Sequence, residues 1–397
     1  MKTCNKCLLP ETHETIEFNS KGVCNICKSN TFKSKNIDWK KKKIELDNLV
    51  NKYKNKGDYD CLVPFSGGKD STWTLYYLVK YYKLKPLVVR FDHGFFRPNL
   101  EKNVKNISRK LGVDIITFTP NWKVVQKLML QSLMEKGDFC WHCHTGIFSY
   151  PMWIAIEKKI PLIFWGEPSA EYTAYYNYKD NEIVDEKRFN RFMNLGINAK
   201  DMYYKLKGDV DIRDLKPYSY PDIKLLKELK FHSVCLGSYI KWDVKKQSKI
   251  IKDKLNWVGD EVENVPLKYN YEKIECYMQG VRDYLKYIKR GFSRTTHLSS
   301  LDLRNKRITK LDAKKMIKNY EGKRPPSLDI FLSLVGISED DFMTIALTHQ
   351  VSPYSNKFKK VQNGKKTKDF DYWSKSGKMH KKYSKKKIKE FKSFIND

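Results

Sequence analysis

The sequence predicts an α/β protein built on a parallel, doubly wound sheet, with a small cysteine-rich unit before it and a mostly helical region after it. Three observations carry the prediction. From Asp58 onward, short runs of Val, Ile, Leu and Phe alternate with amphipathic segments, as strands buried on both faces alternate with helices. Polar and charged residues gather just after these runs, where open α/β sheets bind their ligands. Two CxxC pairs lie within the first 30 residues, outside the alternation.

Residues 1–30 are poor in apolar side chains and cannot fold around a core of their own, so a staple is expected. "CNKC" and "CNIC" are separated by sixteen residues, which fits a tetrahedral zinc ribbon with Cys4, Cys7, Cys24 and Cys27 as ligands of one Zn²⁺. Residues 31–57 form a linker helix in which Ile37, Ile44, Leu49 and Tyr53 stand among charges. The sheet domain spans 58–225. "YDCLVPF" is its first strand, followed by a helix with Leu75, Leu78, Val79 and Tyr82 on one face. "PLVVRFD" precedes a helix with Leu100, Val104, Ile107 and Leu111 on one face. "VDIITFTP", helical segments around 122–135 and 145–158, and "IPLIFWGE" complete the alternation. Residues 170–225 are polar and aromatic with weak periodicity, and read as an active-site insertion. Over 226–350 helical patterns dominate, including "YEKIECYMQGVRDYLKYIKRG" and "TKLDAKKMIKNYEG", the latter ended by "KRPPS". This region is expected to meet substrate or partner, and 351–397 is a Lys-rich tail.

The 397 residues are 41% hydrophobic, which excludes a wholly disordered chain. No stretch approaches the roughly 20 apolar residues of a membrane span, and "MKTCNKCLLPETHE" lacks the apolar core of a signal peptide. A cytoplasmic protein without membrane contact is expected. The net charge of +31 suggests an anionic partner, but from Ser355 onward 15 Lys face 4 acidic residues, so +11 belongs to the tail. Richness in Lys, Asn, Ile and Tyr, as AT-rich coding produces, is a competing explanation.

"SGGKDS", residues 66–71, follows the first strand and opens a helix. It is not a Walker A loop, which requires GxxxxGK[ST]. Gly67 and Gly68 let the backbone approach a phosphate, Ser66 and Ser71 offer hydroxyls, Lys69 supplies positive charge and Asp70 helps to hold Mg²⁺. This stretch resembles the PP-loop of ATP pyrophosphatases, which cleave ATP between the α and β phosphates and form adenylated intermediates. The resemblance implies an adenine nucleotide alpha hydrolase-like sheet. "RFDHGFFRPN" resembles the loop that receives adenine and ribose, making Asp92 and His93 candidates; capping of the next turn is the alternative. In "FCWHCHTG", Cys140 and Cys143 are compatible with a second metal or iron–sulfur site that takes Cys235 as third ligand, with thiol exchange, or with burial as small residues.

Taken together, the double CxxC, "SGGKDS", "FDHGF", "CWHCHTGI", "WGEPSAEYT" and "YLKYIKRGFSRTTHLSSLDLRNKRITK" resemble the N-acetyl sugar amidotransferase family of bacterial surface-polysaccharide and flagellin-glycan pathways. The resemblance covers roughly residues 1–350. It implies an ATP-dependent, AMP- and pyrophosphate-forming enzyme that converts an acetamido group of an activated or nucleotide-linked sugar to an acetamidino group. Lys69, Asp70 and Glu167 would be catalytic; Glu167 and Glu171 would hold metal or orient the substrate amide, and Arg294 and His297 would meet the sugar or its phosphates, with surface or domain-interface charges the alternative for both pairs. No glutaminase motif is evident, so ammonia is expected from a separate glutamine amidotransferase subunit. The rival is a tRNA-modifying thiolase that uses the same loop with Cys140 and Cys143. Against it, "WGEPSAEYT" replaces the usual Gly-His-Asn-Asp type of segment, and nucleic acid is not the expected partner.

Overall fold

The computed structural model describes residues 1–354 apart from 175, 177, 179, 180 and 207. From residue 355 on, the expected Lys-rich tail lies outside the described residues. Five short strands form one parallel sheet: β1 (Cys61–Pro64), β2 (Pro86–Phe91), β3 (Asp114–Phe118), β4 (Leu162–Trp165) and β5 (His232–Cys235), in the order β3-β2-β1-β4-β5. All of β2 and nearly all of β1 are buried, as an apolar strand covered on both faces must be, whereas the edge strand β3 is partly exposed. The four strands expected from the sequence are present. β5 is additional: it lies beyond residue 226, where helices were expected, and gives the sheet a strand from past its anticipated boundary. It is four residues long and directly follows a short helix, Ile223–Glu228, too little for a strand pattern to show.

Six helices precede or connect the first four strands: α1 (Asn25–Lys35), α2 (Trp39–Tyr53), α3 (Lys69–Tyr82), α4 (Pro98–Leu111), α5 (Trp122–Lys136) and α6 (Trp141–Glu157). α3 buries Leu75 and Leu78, and α4 buries Leu100, Val104, Ile107 and Leu111, the faces set by their periodicity. α6 begins before the expected residue 145, which puts Cys140 at its N-cap and Cys143 in its first turn. The chain moves outward from β1 to β3 and then crosses to β4 on the other side of β1. The connections after β1 and β4 therefore diverge at the switch point of the sheet, where such folds bind ligands.

Past β5, the helix Val244–Leu255 packs on α3 and α4. The helices Gln279–Arg290, Arg294–Arg304, Lys310–Tyr320, Ser327–Val335 and Glu339–Thr348 follow. Thr309 and Asp312 cap Lys310–Tyr320 reciprocally. The run 271–291, which reads as one helix, is helical only from Gln279. Residues 257–278 instead form a largely irregular segment anchored in the core of the sheet domain by Trp257, Tyr269 and Ile274, all buried. Among the described residues no helix is long and apolar enough to cross a membrane.

Candidate functional site

The loop after β1 is built so that only glycine fits. Gly67 has φ +84°, and a Cβ there would lie 2.6 Å from Val104 Cγ2. At Gly68 a Cβ would lie 1.8 Å from Glu275 Oε1. No side chain caps the start of α3, so its first turn presents backbone N–H groups toward the loop, the arrangement that receives anions. Ser66 Oγ lies 3.2 Å from Ser71 Oγ and accepts from Gly68 N at 3.2 Å, bringing both predicted hydroxyls together. Trp257 Nε1 donates to Gly67 O at 2.9 Å, so the segment 257–278 lies directly on the loop.

Lys69 is buried and central. Its Nζ lies 2.6 Å from Asp70 Oδ2 and 2.7 Å from Glu272 Oε2. Burial works against the ammonium, but Asp70, Glu272 and Glu167 outweigh it and hold the lysine well above its ordinary range, so it is charged. Glu167 follows β4; the preceding Gly166 abuts Asp70, with a Cβ there 3.2 Å from Asp70 O. Burial and the Asp70 charge push the Glu167 carboxyl well up. Burial also works against the Glu272 carboxylate, but Lys69, Lys273 and Arg294 hold it down and ionised. Asp70 Oδ1 and Glu167 Oε1 are buried without a hydrogen-bond partner among the described residues. Such hard oxygen donors fit Mg²⁺, which Asp70 was expected to hold.

The remaining expected residues fall into different roles. Asp92 accepts from Gly94 N at 2.8 Å and Thr119 Oγ1 at 3.3 Å, the arrangement of a turn cap. His93 is buried beside Phe96, accepts from Phe95 N at 3.2 Å, and is held neutral, down to about 3, by burial and by Arg90. Glu171 is buried in a pair with Lys33 of α1 and accepts from Tyr178 Oη. Arg294 pairs with Asp283 at 3.4 Å and also bears on Glu272, which links it to the loop. His297 Nε2 lies 2.9 Å from Lys286 Nζ, and its ring stands 5.3 Å from that of His13. Sequence reasoning missed Glu272, Glu275 and Trp257, which a helical reading of their stretch assigns no site role.

The four N-terminal cysteines form the one group, among the described residues, in which three or more candidate ligand atoms all lie within 4.8 Å of one another. Cys4 Sγ is 3.9 Å from Cys27 Sγ, and Cys7 Sγ is 3.6 Å from Cys24 Sγ. Zn–S bonds of about 2.3 Å in a tetrahedron place sulfurs about 3.8 Å apart, so the cluster fits zinc. Lys6 N and Cys24 N donate to Cys4 Sγ, and Cys27 N donates to Cys24 Sγ, the support expected around thiolates. The unit is packed onto the rest of the chain. Lys33 of α1 reaches Glu171 and Trp242 O, and Thr15 Oγ1 accepts from Ala174 N at 2.9 Å.

Cys140 and Cys143 share a core with Cys276, not with Cys235. Cys235, at the end of β5, faces Arg188 instead, with Nη1 3.7 Å from Sγ. Burial pushes the Cys140 and Cys143 thiols well up, and Cys276 up to about 11.

Residues 263–394 match the family described as "LPS biosynthesis protein WbpG-like, C-terminal domain". The chain is also similar to the uncharacterized protein MJ1599 of Methanocaldococcus jannaschii, 32% identical over 120 residues, which is 30% of this chain and 43% of that protein. The chain thus spans less than half the length of that relative. It carries a C-terminal region similar to that of WbpG-like lipopolysaccharide biosynthesis proteins, which points to polysaccharide biosynthesis.

Proposed function

We propose that the protein is an ATP-dependent amidotransferase that converts an acetamido group of a sugar or nucleotide sugar to an acetamidino group in surface-glycan biosynthesis. One observation carries the reading: Glu272 and Glu275, which belong to the WbpG-like region, reach the nucleotide-activating type of loop at Lys69 and Gly68. A residue set that spans both regions suits an enzyme that activates a glycan precursor with ATP.

An amide carbonyl is a poor electrophile, and ammonia does not displace its oxygen unaided. Attack of the carbonyl oxygen on the α-phosphate of ATP releases pyrophosphate and leaves the oxygen bonded to AMP. Ammonia then adds to the imidoyl carbon, a proton is lost, and AMP departs with that oxygen. In this scheme the N–H groups of the loop, the Ser66 and Ser71 hydroxyls and Lys69 receive the leaving pyrophosphate. Mg²⁺ beside Asp70 supplies further neutralisation of the phosphate charge. Glu167 orients the amide, Asp92 and His93 border the adenosine, and Arg294 and His297 face the sugar or its phosphates. Zinc at the four cysteines is structural. Ammonia comes from a separate glutaminase subunit.

The test incubates the chain with ATP, Mg²⁺, an ammonium salt and candidate acetamido sugars. AMP should appear together with a sugar one mass unit lighter, because NH replaces O. Formation of AMP without such a product, or of ADP, contradicts the proposal.

A further inference from the structure

Where the zinc unit meets the C-terminal helices, positive charge exceeds negative. Lys286 Nζ and Arg290 Nε, one turn apart on the helix Gln279–Arg290, both lie 3.3 Å from Glu14 Oε1, and Glu14 is the one carboxylate that pairs with either among the described residues. Arg304 pairs with no carboxylate among the described residues: its guanidinium donates to Ser300 Oγ at 2.5 Å and to Glu171 O at 2.8 Å. Arg290 and Thr12 are bonded to each other in both directions, which holds the zinc unit against this helix. Three cations thus stand against one carboxylate. The side chains of Lys286, Arg290 and Glu14 are 25%, 20% and 32% exposed, so a solute can reach them.

His13 stands among them. It is buried, and its ring lies 5.3 Å from that of His297, whose Nε2 accepts from Lys286 Nζ at 2.9 Å. His13 Nδ1 accepts from Thr15 N at 3.3 Å, which leaves the proton on Nε2, and Nε2 is buried without a partner among the described residues. A buried N–H donor in this state is costly until an acceptor reaches it. Burial together with Lys286, Arg290 and Arg304 outweighs Glu14 and holds His13 down to about 4, so the imidazole is neutral and the field around it positive. A niche of donors with positive charge and few acceptors suits an anion with several oxygens, and the guanidinium groups of Arg290 and Arg304 match phosphate in particular. Its place in the fold also suits a substrate: Arg304 holds Glu171 O, four residues past Glu167, the residue read as orienting the amide.

We propose that His13, Lys286, Arg290 and Arg304 form a site for a phosphate group of the activated sugar, so that the zinc unit supplies one wall of the substrate site. This deepens the reading of the chain as an enzyme of activated sugars, on which the identity of the phosphate carrier rests. Its test uses neither ATP nor sugar, so it fails or stands separately from that reading.

The experiment titrates inorganic phosphate into the zinc-loaded full chain carrying ¹⁵N-histidine and follows the imidazole signals of His13 and His297, assigned with His13→Gln and His297→Gln. Both signals should shift and saturate with phosphate, and acetate at the same concentrations should leave them in place. Arg304→Gln should weaken phosphate binding at least tenfold. Glu14→Gln should tighten it several-fold, because it frees Lys286 and Arg290 from their carboxylate, a gain that a merely structural ion pair would not give. Retained zinc and an unchanged circular dichroism spectrum show that each variant is folded; if Arg304→Gln fails this check, Glu14→Gln decides alone. Signals that do not move with phosphate, that move equally with acetate, or that respond to phosphate in folded Arg304→Gln as in the parent would overturn the proposal.

Discussion

The zinc unit and the phosphate loop are both polar sites, and they are assembled in opposite ways. The zinc unit draws all four ligands from 24 residues, and the sulfurs stand at tetrahedral spacing with local N–H support. The loop site begins with a local motif but is completed from far along the chain. Glu167 follows another strand, and Glu272, Glu275 and Trp257 come from about 200 residues away. The first site therefore takes all its ligands from one short segment, whereas the second depends on correct packing of the C-terminal region onto the sheet. Lys33 joins the two, since it sits on the zinc unit and binds Glu171, four residues past Glu167.

The largest effect should come from the loop itself. Lys69→Ala and Asp70→Ala should each lower AMP release at least about 100-fold, the scale for removing one preorganised group that stabilises transition-state charge. Zinc content should stay at one per chain in both, because the zinc unit does not share these groups. AMP release near the parent rate in a folded variant would remove the loop from the mechanism.

Next, Cys4→Ser and Cys24→Ser should each abolish zinc binding, since every sulfur is one corner of the tetrahedron. Atomic emission on chelator-free protein checks this, and a variant that retains stoichiometric zinc would contradict the assignment. Activity should fall too, because loss of the unit releases Lys33 and Thr15 from the segment after β4.

Lys33→Met isolates that connection and should have a smaller effect. Removing one partner of a buried pair leaves the other charge uncompensated, at a cost of about 3–5 kcal/mol. Turnover should drop several-fold while zinc is retained, and Lys33→Met with Glu171→Gln should recover part of the loss, a coupling that a double-mutant cycle measures. Additive losses would mean that the zinc unit and the active-site segment are independent.

The smallest effect concerns how the covering segment is pinned. Glu263 accepts from Ser327 N at 2.9 Å, and burial pushes its carboxyl up to about 7. A carboxyl raised above its unfolded value takes up a proton on folding, so its contribution is complete below about pH 4.5 and is lost as pH rises through 7. A shift of this size amounts to about 3 kcal/mol. Glu263→Gln should flatten the fall in unfolding free energy between pH 5 and pH 7.5 on the scale of these values. Parallel parent and variant profiles would show that Glu263 does not titrate on folding.

The same contrast explains what was legible in the sequence. Cys4, Cys7, Cys24 and Cys27, and residues 66–71, are read from spacing alone because each motif is contiguous. The faces of α3 and α4 are read from period because burial of one side is a local property. Glu272 and Glu275 gave no such signal: "YEKIECYM" has the charge pattern of an exposed helix, and only its packing on Gly68 and Lys69 turns those carboxylates inward. Glu171 looked like a substrate residue because its partner Lys33 is distant in sequence. Cys235 was grouped with Cys140 and Cys143 by residue type, and the fold puts Cys276 there instead. β5 escaped because four residues are too few to establish a pattern.

The central claim, that the loop activates a sugar amide by adenylation, is tested most directly by the fate of one oxygen atom. A sugar whose acetamido carbonyl carries ¹⁸O is incubated with the chain, ATP, Mg²⁺ and ammonium, and the AMP is analysed by mass spectrometry. The account predicts that the label passes to the phosphate of AMP, in step with unlabelled amidine. AMP free of label beside amidine product would contradict it, because the carbonyl oxygen would then have left by another route.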